Sequence, residues 1–227
     1  MNFSYTTVRS VKRKKLTITV ERDRSVVVFA PEGATDESID RVVQSKRQWL
    51  FEKLHNVPKY LVRPHAPGKE VVNGESALYL GREYKIDLSP ESGGSVVFDR
   101  GFLVPKAGRL QTRQAFRNWY WLQAQKIILP RVTRFAHELG VDVSEVTIVD
   151  DGLRWGSCTT QNNIRLNWRL IKAPLAVVDY VIVHELAHLL EANHTPDFWN
   201  IVRAKVVGAD KSKAWLKANG QLLEEEI

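Results

Sequence analysis

The sequence feature that most restricts this chain is a pair of histidines four residues apart, in His184-Glu185-Leu186-Ala187-His188. Four residues make about one helical turn, so both imidazoles project from one helix face and can reach the same ion. Glu185 is rotated by about 100° around the helix axis, so its carboxylate is offset and can accept a proton from a metal-activated water. Residues 177–183 are apolar and predict a buried helix, where such polar groups are costly without a partner. We therefore predict a metal-binding helix; the alternative is two hydrogen-bonded core histidines with Glu185 at the surface.

A catalytic zinc site needs a third protein ligand and one open position. His194 is the first candidate, but on an unbroken helix it would point about 240° away from His188. The helix must therefore end between them, and Asn193 and Pro196 are residue types that end helices. The competing third ligands are downstream carboxylates: Asp197, Asp210 and Glu224.

Composition and charge narrow the class of protein. The chain of 227 residues has one cysteine, Cys158, which excludes an internal disulfide and favours a reducing, cytoplasmic location. No apolar run has the roughly 20 residues of a membrane span. The first 65 residues carry a net charge of +6 out of the chain's +7. Within them lies a basic run that could contact nucleic acid or cover a strand edge: Arg9, Lys12, Arg13, Lys14 and Lys15.

The predicted elements give an α+β fold. Hydrophobic alternation predicts a hairpin at 16–20 and 26–29, one helix from about residue 35 to 54, and an antiparallel meander between 77 and 104. A long helix follows over 109–139, which Pro130 should kink or divide. We expect a mostly antiparallel N-terminal region with one helix over residues 1–108. A helical C-terminal region with a small sheet is expected over residues 109–227.

Other residues are candidates for contact with substrate. Residues 164–170 alternate strictly between apolar and polar, which indicates a half-buried strand just before the metal helix. An extended peptide could add to the edge of this strand, with Asn167 as a contact, unless both of its edges are already paired. Arg154 or Tyr180 could stabilise an oxyanion, although packing roles are the alternative for both.

Several motif blocks occur together in one order and resemble the YgjP-like metallopeptidase family. These are Arg154-Trp155-Gly156-Ser157-Cys158, the strand of residues 164–170, the histidine motif, Asn193-His194 and Phe198-Trp199. The resemblance implies a zincin-like domain over residues 109–227, with one Zn²⁺ on His184, His188 and His194 and Glu185 as the catalytic base. The histidine spacing is also similar to that of the WLM and SprT-like proteases, which act on proteins attached to DNA.

The sequence thus favours a zinc metallopeptidase that hydrolyses peptide bonds of a peptide or protein substrate. Two alternatives remain open. One is a nucleic-acid-associated protease that acts on DNA-bound proteins through the basic run. The other is a non-catalytic zinc-binding module, whose site would be closed by four protein ligands.

Overall fold

The computed structural model describes residues 4–11, 13–20, 26–55, 71–90, 94–150, 154–159 and 161–225. The chain forms two compact units, residues 1–61 and residues 62–227. The predicted α+β class is confirmed, because the described residues form six α-helices and three small sheets. No α-helix among these described ranges is both long and apolar enough to span a bilayer.

The N-terminal unit contains a three-stranded sheet of β1 (Tyr5–Ser10), β2 (Thr17–Val20) and β3 (Val26–Pro31). The central strand β3 pairs antiparallel with β2, which confirms the predicted hairpin. On its other side β3 pairs in parallel with β1, a strand that the sequence pattern did not predict. One face of β3 packs on the two helices that follow.

Two helices, rather than the single predicted one, cover this sheet: α1 (Asp36–Ser45) and α2 (Arg47–His55). Thr35 caps α1, since its hydroxyl accepts a hydrogen bond from the Ser38 N–H. The chain leaves helical geometry only at Lys46, where φ is −101° and ψ is 12°. Buried residues of the helices and of β3 form a small core of their own: Val26, Val28, Ala30, Ile39, Val43 and Leu50.

The second unit begins with four strands: β4 (Ser76–Tyr79), β5 (Arg82–Ser89), β6 (Val97–Phe98) and β7 (Phe102–Pro105). Their order is β4-β5-β7-β6, and β5 pairs in parallel with β7, so the sheet is not the simple antiparallel meander that we expected. Phe102 of β7 packs edge-on against Phe116 of the following helix. This contact places the sheet in the same unit as that helix, whereas the predicted boundary lay between them at residue 108.

Helix α3 (Arg109–Leu139) has 31 residues and ends at Gly140, whose φ of 66° suits glycine. Pro130 does not divide α3. Pro130 and the neighbouring Lys126 are both exposed, so water can satisfy the carbonyl that proline leaves without a helical donor. Buried residues of α3 form one side of the main core: Phe116, Tyr120, Ala124, Ile128 and Val132.

The third sheet lies next to the helix that carries the histidine motif. It consists of β8 (Glu145–Val149), β9 (Gly156–Cys158) and β10 (Asn163–Asn167). Strand β10 is central, parallel to β8 and antiparallel to β9. The predicted strand of residues 164–170 is therefore shorter than expected. It stops at Asn167, whose side chain caps a 3-10 helix (Trp168–Lys172) by accepting a hydrogen bond from the Arg169 N–H.

Three helices complete the unit: α4 (Leu175–Ala187), α5 (Pro196–Lys205) and α6 (Ala209–Glu224). Most of α4 is buried, as its apolar sequence predicted. Its neighbours are α3, α5, α6, the 3-10 helix and strands β9 and β10, so the helix of the histidine motif is held from several sides.

Candidate metal centre

The histidine cluster is formed where α4 ends and the chain turns back. Helix α4 stops at Ala187, and the N–H groups of Leu189, Leu190 and Glu191 bond to the last carbonyls of the helix. Asn193 does not adopt the positive φ that we expected of it. Thr195 then caps α5 by accepting a hydrogen bond from the Phe198 N–H. This reversal brings His194 back to the face of α4 that carries the motif.

Three imidazoles meet at this point. One nitrogen each from His184, His188 and His194 can be chosen so that all three lie within 4.8 Å of one another. The Nε2 atoms of His184 and His194 are 3.0 Å apart. In the part of the chain that the structure describes, no other group of three metal-ligating side chains comes together in this way. Of the alternative carboxylates, Asp210 pairs with Arg203, and neither Asp197 nor Glu224 joins the cluster.

The electrostatics favour neutral imidazoles. Burial and the two neighbouring histidines lower the pKa of His184 to about 3. Burial likewise lowers the pKa of His188 and of His194. The Nδ1 of His188 lies 3.3 Å from the Glu191 carbonyl, which fixes Nδ1 as the donor and leaves Nε2 as a lone-pair donor toward the cluster. Neutral imidazole is the form that binds a metal ion.

A divalent cation fits these donors. Two nitrogens at 2.0–2.1 Å from one tetrahedral ion lie roughly 3.4 Å apart, close to the separation of the His184 and His194 Nε2 atoms. Without a cation, two Nε2 atoms at this distance can share only a single proton between them. The Nδ1 of His184 is also buried with no hydrogen-bond partner among the described residues. An imidazole set of this kind suits zinc and several other divalent ions.

Aromatic residues at the start of α5 wall the cluster. Phe198 is fully buried, and its ring centroid lies 4.6–4.9 Å from the centroids of all three imidazoles. Trp199 stacks on His194 at 5.6 Å, and the Lys213 ammonium lies 3.8 Å from the centroid of the Trp199 ring. These contacts exclude water from one side and hold the rings in place. No pattern in the sequence pointed to Lys213.

Glu185 is buried against strand β9. Only 7% of the residue is exposed, and burial raises the pKa of its carboxyl to about 7, an effect that the charge of Arg154 opposes. A β-carbon added to Gly156 of β9 would lie 2.7 Å from Cγ and 2.9 Å from Oε1 of Glu185. Gly156 therefore admits the carboxylate against the strand. A glycine inside a strand pattern is a known signal of such a close approach, but we did not single it out from the sequence.

The other predicted contact residues have different surroundings. Tyr180 is buried one turn before His184, with ring centroids 5.8 Å apart, and burial raises the pKa of its phenol to about 12. Arg154 is exposed and lies close enough to Glu185 to affect its pKa. Asn167 is buried, and its amide donates to the Arg154 carbonyl at 3.2 Å while its oxygen caps the 3-10 helix. Asn167 thus holds the chain that carries Arg154.

The sheet edge that is open to a peptide is not on the strand that we predicted. Strand β10 is paired on both sides, as the alternative interpretation had it, so it offers no edge to a peptide. In the described part of this sheet, β9 is the edge strand on the side of α4. It carries Gly156 and Cys158, a thiol whose pKa is raised by burial and by Glu185.

The basic N-terminal run is partly used within its own unit. The Arg9 guanidinium bonds to the Ala34 carbonyl and to the Asp36 carboxylate, and the Arg13 guanidinium lies 4.5 Å from the centroid of the Phe29 ring. Lys12 lies outside the described residues. Lys14 and Lys15 are exposed, so contact with nucleic acid stays a prediction that rests mainly on these two residues.

Comparisons with known proteins identify the family. The sequence model of the YgjP-like metallopeptidase domain matches residues 14–219. No curated protein matches the sequence. The crystal structure of the metallopeptidase zymogen of Pyrococcus abyssi abylysin is 19% identical, with a TM-score of 0.38 over 44% of this chain and 99% of that chain. The zymogen of Methanocaldococcus jannaschii jannalysin is 20% identical, with a TM-score of 0.35 over 42% of this chain and 96% of that chain. Since the family match covers most of its length, the chain belongs to the YgjP-like family of metallopeptidases.

Proposed function

We propose that this metallopeptidase is a zinc enzyme in which His184, His188 and His194 hold one Zn²⁺ and Glu185 is the general base. The observation that carries the proposal is the convergence of three imidazoles on a helix that also carries a buried carboxylate. Zinc bound by three histidines would acidify a water molecule and polarise the substrate carbonyl.

Glu185 moves the proton in this scheme. Its carboxylate accepts a proton from the attacking water and returns it to the amine that leaves when the peptide bond breaks. The close fit against Gly156 restricts the carboxylate to a narrow range of positions, which supports a role that depends on geometry. Tyr180 is our first candidate for stabilising the negative charge on the substrate oxygen, because it lies on the ligand face of α4 and its phenol is an O–H donor.

The substrate would bind as an extended strand along β9. Backbone N–H and C=O groups at a sheet edge can pair with a peptide of almost any sequence. Because β9 lies against Glu185 at Gly156, a peptide added to this edge would bring a carbonyl close to the carboxylate. This replaces the predicted docking on residues 164–170.

A catalytic centre fits better than a closed structural site. A structural zinc site is completed by four protein ligands, whereas a catalytic one has three and an open position. Among the residues described, the cluster provides three histidines and no fourth ligand. The non-catalytic zinc module is therefore the weaker alternative.

The test combines metal content with cleavage of casein and of a peptide library. We expect about one zinc per chain in the wild type, and the same zinc content with cleavage lowered by at least about a thousandfold in Glu185→Gln. Glu145→Gln, which neutralises an exposed glutamate at the start of β8, is the matched control and should cleave normally. Full cleavage by Glu185→Gln would remove the proposed base.

The third ligand is tested separately. His194→Ala should lose most of its bound zinc, whereas His137→Ala, a control on the exposed last turn of α3, should keep it. Full zinc occupancy in His194→Ala would contradict the proposed ligand set.

A further inference from the structure

A cavity of about 230 Å³ lies in the second unit, between the first half of α3, the 3-10 helix and the residue that follows α6. Three arginines, two aromatic rings and one carboxylate line it: Arg113, Arg117, Arg169, Tyr120, Trp168 and Glu225. We call it the arginine pocket. None of these residues belongs to the histidine cluster, and the function proposed above does not use them.

Two of the three arginines already have a carboxylate. Asp150 bonds through one oxygen to Arg117 and through the other to Arg169. These contacts lower the pKa of Asp150, because the two guanidiniums outweigh the opposing effect of burial. Asp150 and its two arginines together therefore carry a single positive charge.

Arg113 differs from its neighbours. Its Nε is buried, and the guanidinium has neither a hydrogen bond nor an ion pair with any residue of the described ranges. A buried donor without an acceptor is unfavourable, and more so when it is charged. Counting the Glu225 carboxylate, the residues that line the cavity, together with Asp150, leave one positive charge in excess, and the Lys172 ammonium beside the two aromatic rings adds another. A bound anion would supply both the missing acceptor and the missing charge.

The chemistry of the lining defines the class of ligand. A guanidinium presents its N–H groups as a planar fork that matches a carboxylate or a phosphate. Tyr120 and Trp168 add flat apolar walls, and the Arg169 guanidinium lies 4.7 Å from the centroid of the Trp168 ring. The volume is below the roughly 300 Å³ at which pockets for drug-sized ligands begin, so the ligand is small. We propose that the arginine pocket binds a small phosphate- or carboxylate-bearing molecule, with Arg113 as its main anion contact.

The proposal is tested by calorimetric titration with two probes, inorganic phosphate and benzoate, on the zinc-loaded full chain. The two probes distinguish a phosphate site from an aromatic carboxylate site. Arg113→Gln should weaken binding of the preferred probe by about tenfold or more, since a charge-assisted hydrogen bond is lost. Lys126→Gln removes the same charge from an exposed position of α3 and should bind as the wild type does. Asp150→Asn should strengthen binding severalfold, because it releases Arg117 and Arg169.

A second measurement separates a ligand site from a structural role of Arg113. Without anion, the melting temperature of Arg113→Gln should equal or exceed that of the wild type, since an unpaired charge is removed. The preferred probe should raise the melting temperature of the wild type and leave that of the variant unchanged. Equal affinity in wild type and Arg113→Gln would place the anion elsewhere, for example on the zinc. That result would overturn the proposal. If neither probe binds at a concentration of about 10 mM, the proposal is also overturned.

Discussion

Gly156 offers the sharpest test of how the fold positions the proposed base. The three atoms nearest to an added β-carbon all belong to Glu185, namely Cγ at 2.7 Å, Oε1 at 2.9 Å and Cδ at 3.0 Å. Carbon atoms in contact are normally about 3.5–4.0 Å apart, so Gly156→Ala requires a shift of about 1 Å. Because Glu185 is almost fully buried, its carboxylate has little room to move elsewhere.

The expected loss follows from this displacement. A misplacement of about 1 Å can lower the rate by about a hundredfold, which corresponds to about 2.7 kcal/mol of transition-state stabilisation. Gly156 does not have a positive φ, so alanine adds no backbone strain and the effect is steric. Overpacking of this kind also costs about 1–3 kcal/mol of folding free energy. Zinc content should not change, because the three atoms nearest to the added carbon belong to Glu185 and not to a histidine.

The assay measures kcat, KM, zinc content and the melting temperature on the same preparations. We expect a lower kcat with little change in KM for Gly156→Ala. The matched control is Gly220→Ala in α6, where the new β-carbon would meet Trp155 at an ordinary contact distance of 3.4 Å. A kcat for Gly156→Ala within about threefold of the wild-type value, in a folded and zinc-loaded protein, would refute the argument that this glycine positions Glu185.

Three further predictions concern stability. The carboxylate of Asp150, whose folded pKa lies below its ordinary value of 3.8, stabilises the fold above that pH and loses this effect as the pH falls through the folded pKa. Asp150→Asn should therefore lower the free energy of unfolding by up to about 1 kcal/mol at pH 7, and urea titrations should show that the difference disappears in acid. Tyr120→Phe removes a buried hydrogen bond of 2.6 Å to the Leu78 carbonyl and should cost about 1–3 kcal/mol in the same titration; an unchanged midpoint would contradict this. In a solution whose free zinc concentration is about 100 times Kd, removal of the metal with a chelator should lower the free energy of unfolding by about 2.7 kcal/mol. By calorimetry this corresponds to a decrease in melting temperature of roughly 5–10 °C. An unchanged transition would contradict zinc binding to the folded state.

The histidine cluster could be predicted because its constraints are local. Because His184 and His188 are four residues apart, helix geometry alone places them on the same face of the helix. The return of His194 needed only a helix end within six residues, and the capping threonine and Pro196 provide the start of the next helix. The sequence could not tell which residue ends the helix. The observed end, at Ala187, comes earlier than Asn193 suggested, since the last carbonyls are satisfied by a short turn.

Strand pairing could not be predicted in the same way. The alternation of residues 164–170 shows that one face is buried, but it does not show how many neighbours the strand has. Strand β10 has two, and Asn167 leaves the strand to cap a 3-10 helix. The parallel pairs β1–β3 and β5–β7 each join segments that are separated in the sequence by another strand. Such contacts depend on the packing of the whole unit rather than on local periodicity.

Gly156 and Arg113 show why a motif gives the chemistry of a site without its surroundings. The motif names the carboxylate, but the position of that carboxylate depends on a glycine 29 residues earlier in the chain, on an edge strand. Arg113 has no motif at all, and in the sequence it is one of many arginines on an amphipathic helix. It becomes informative only when the fold places it in a cavity beside the 3-10 helix and Glu225, with its Nε buried and bonded to no acceptor among the described residues. Both positions depend on segments that are distant in the sequence. A substitution at Gly156 tests how the fold positions the carboxylate of the motif, and one at Arg113 tests a cavity to which the motif does not contribute.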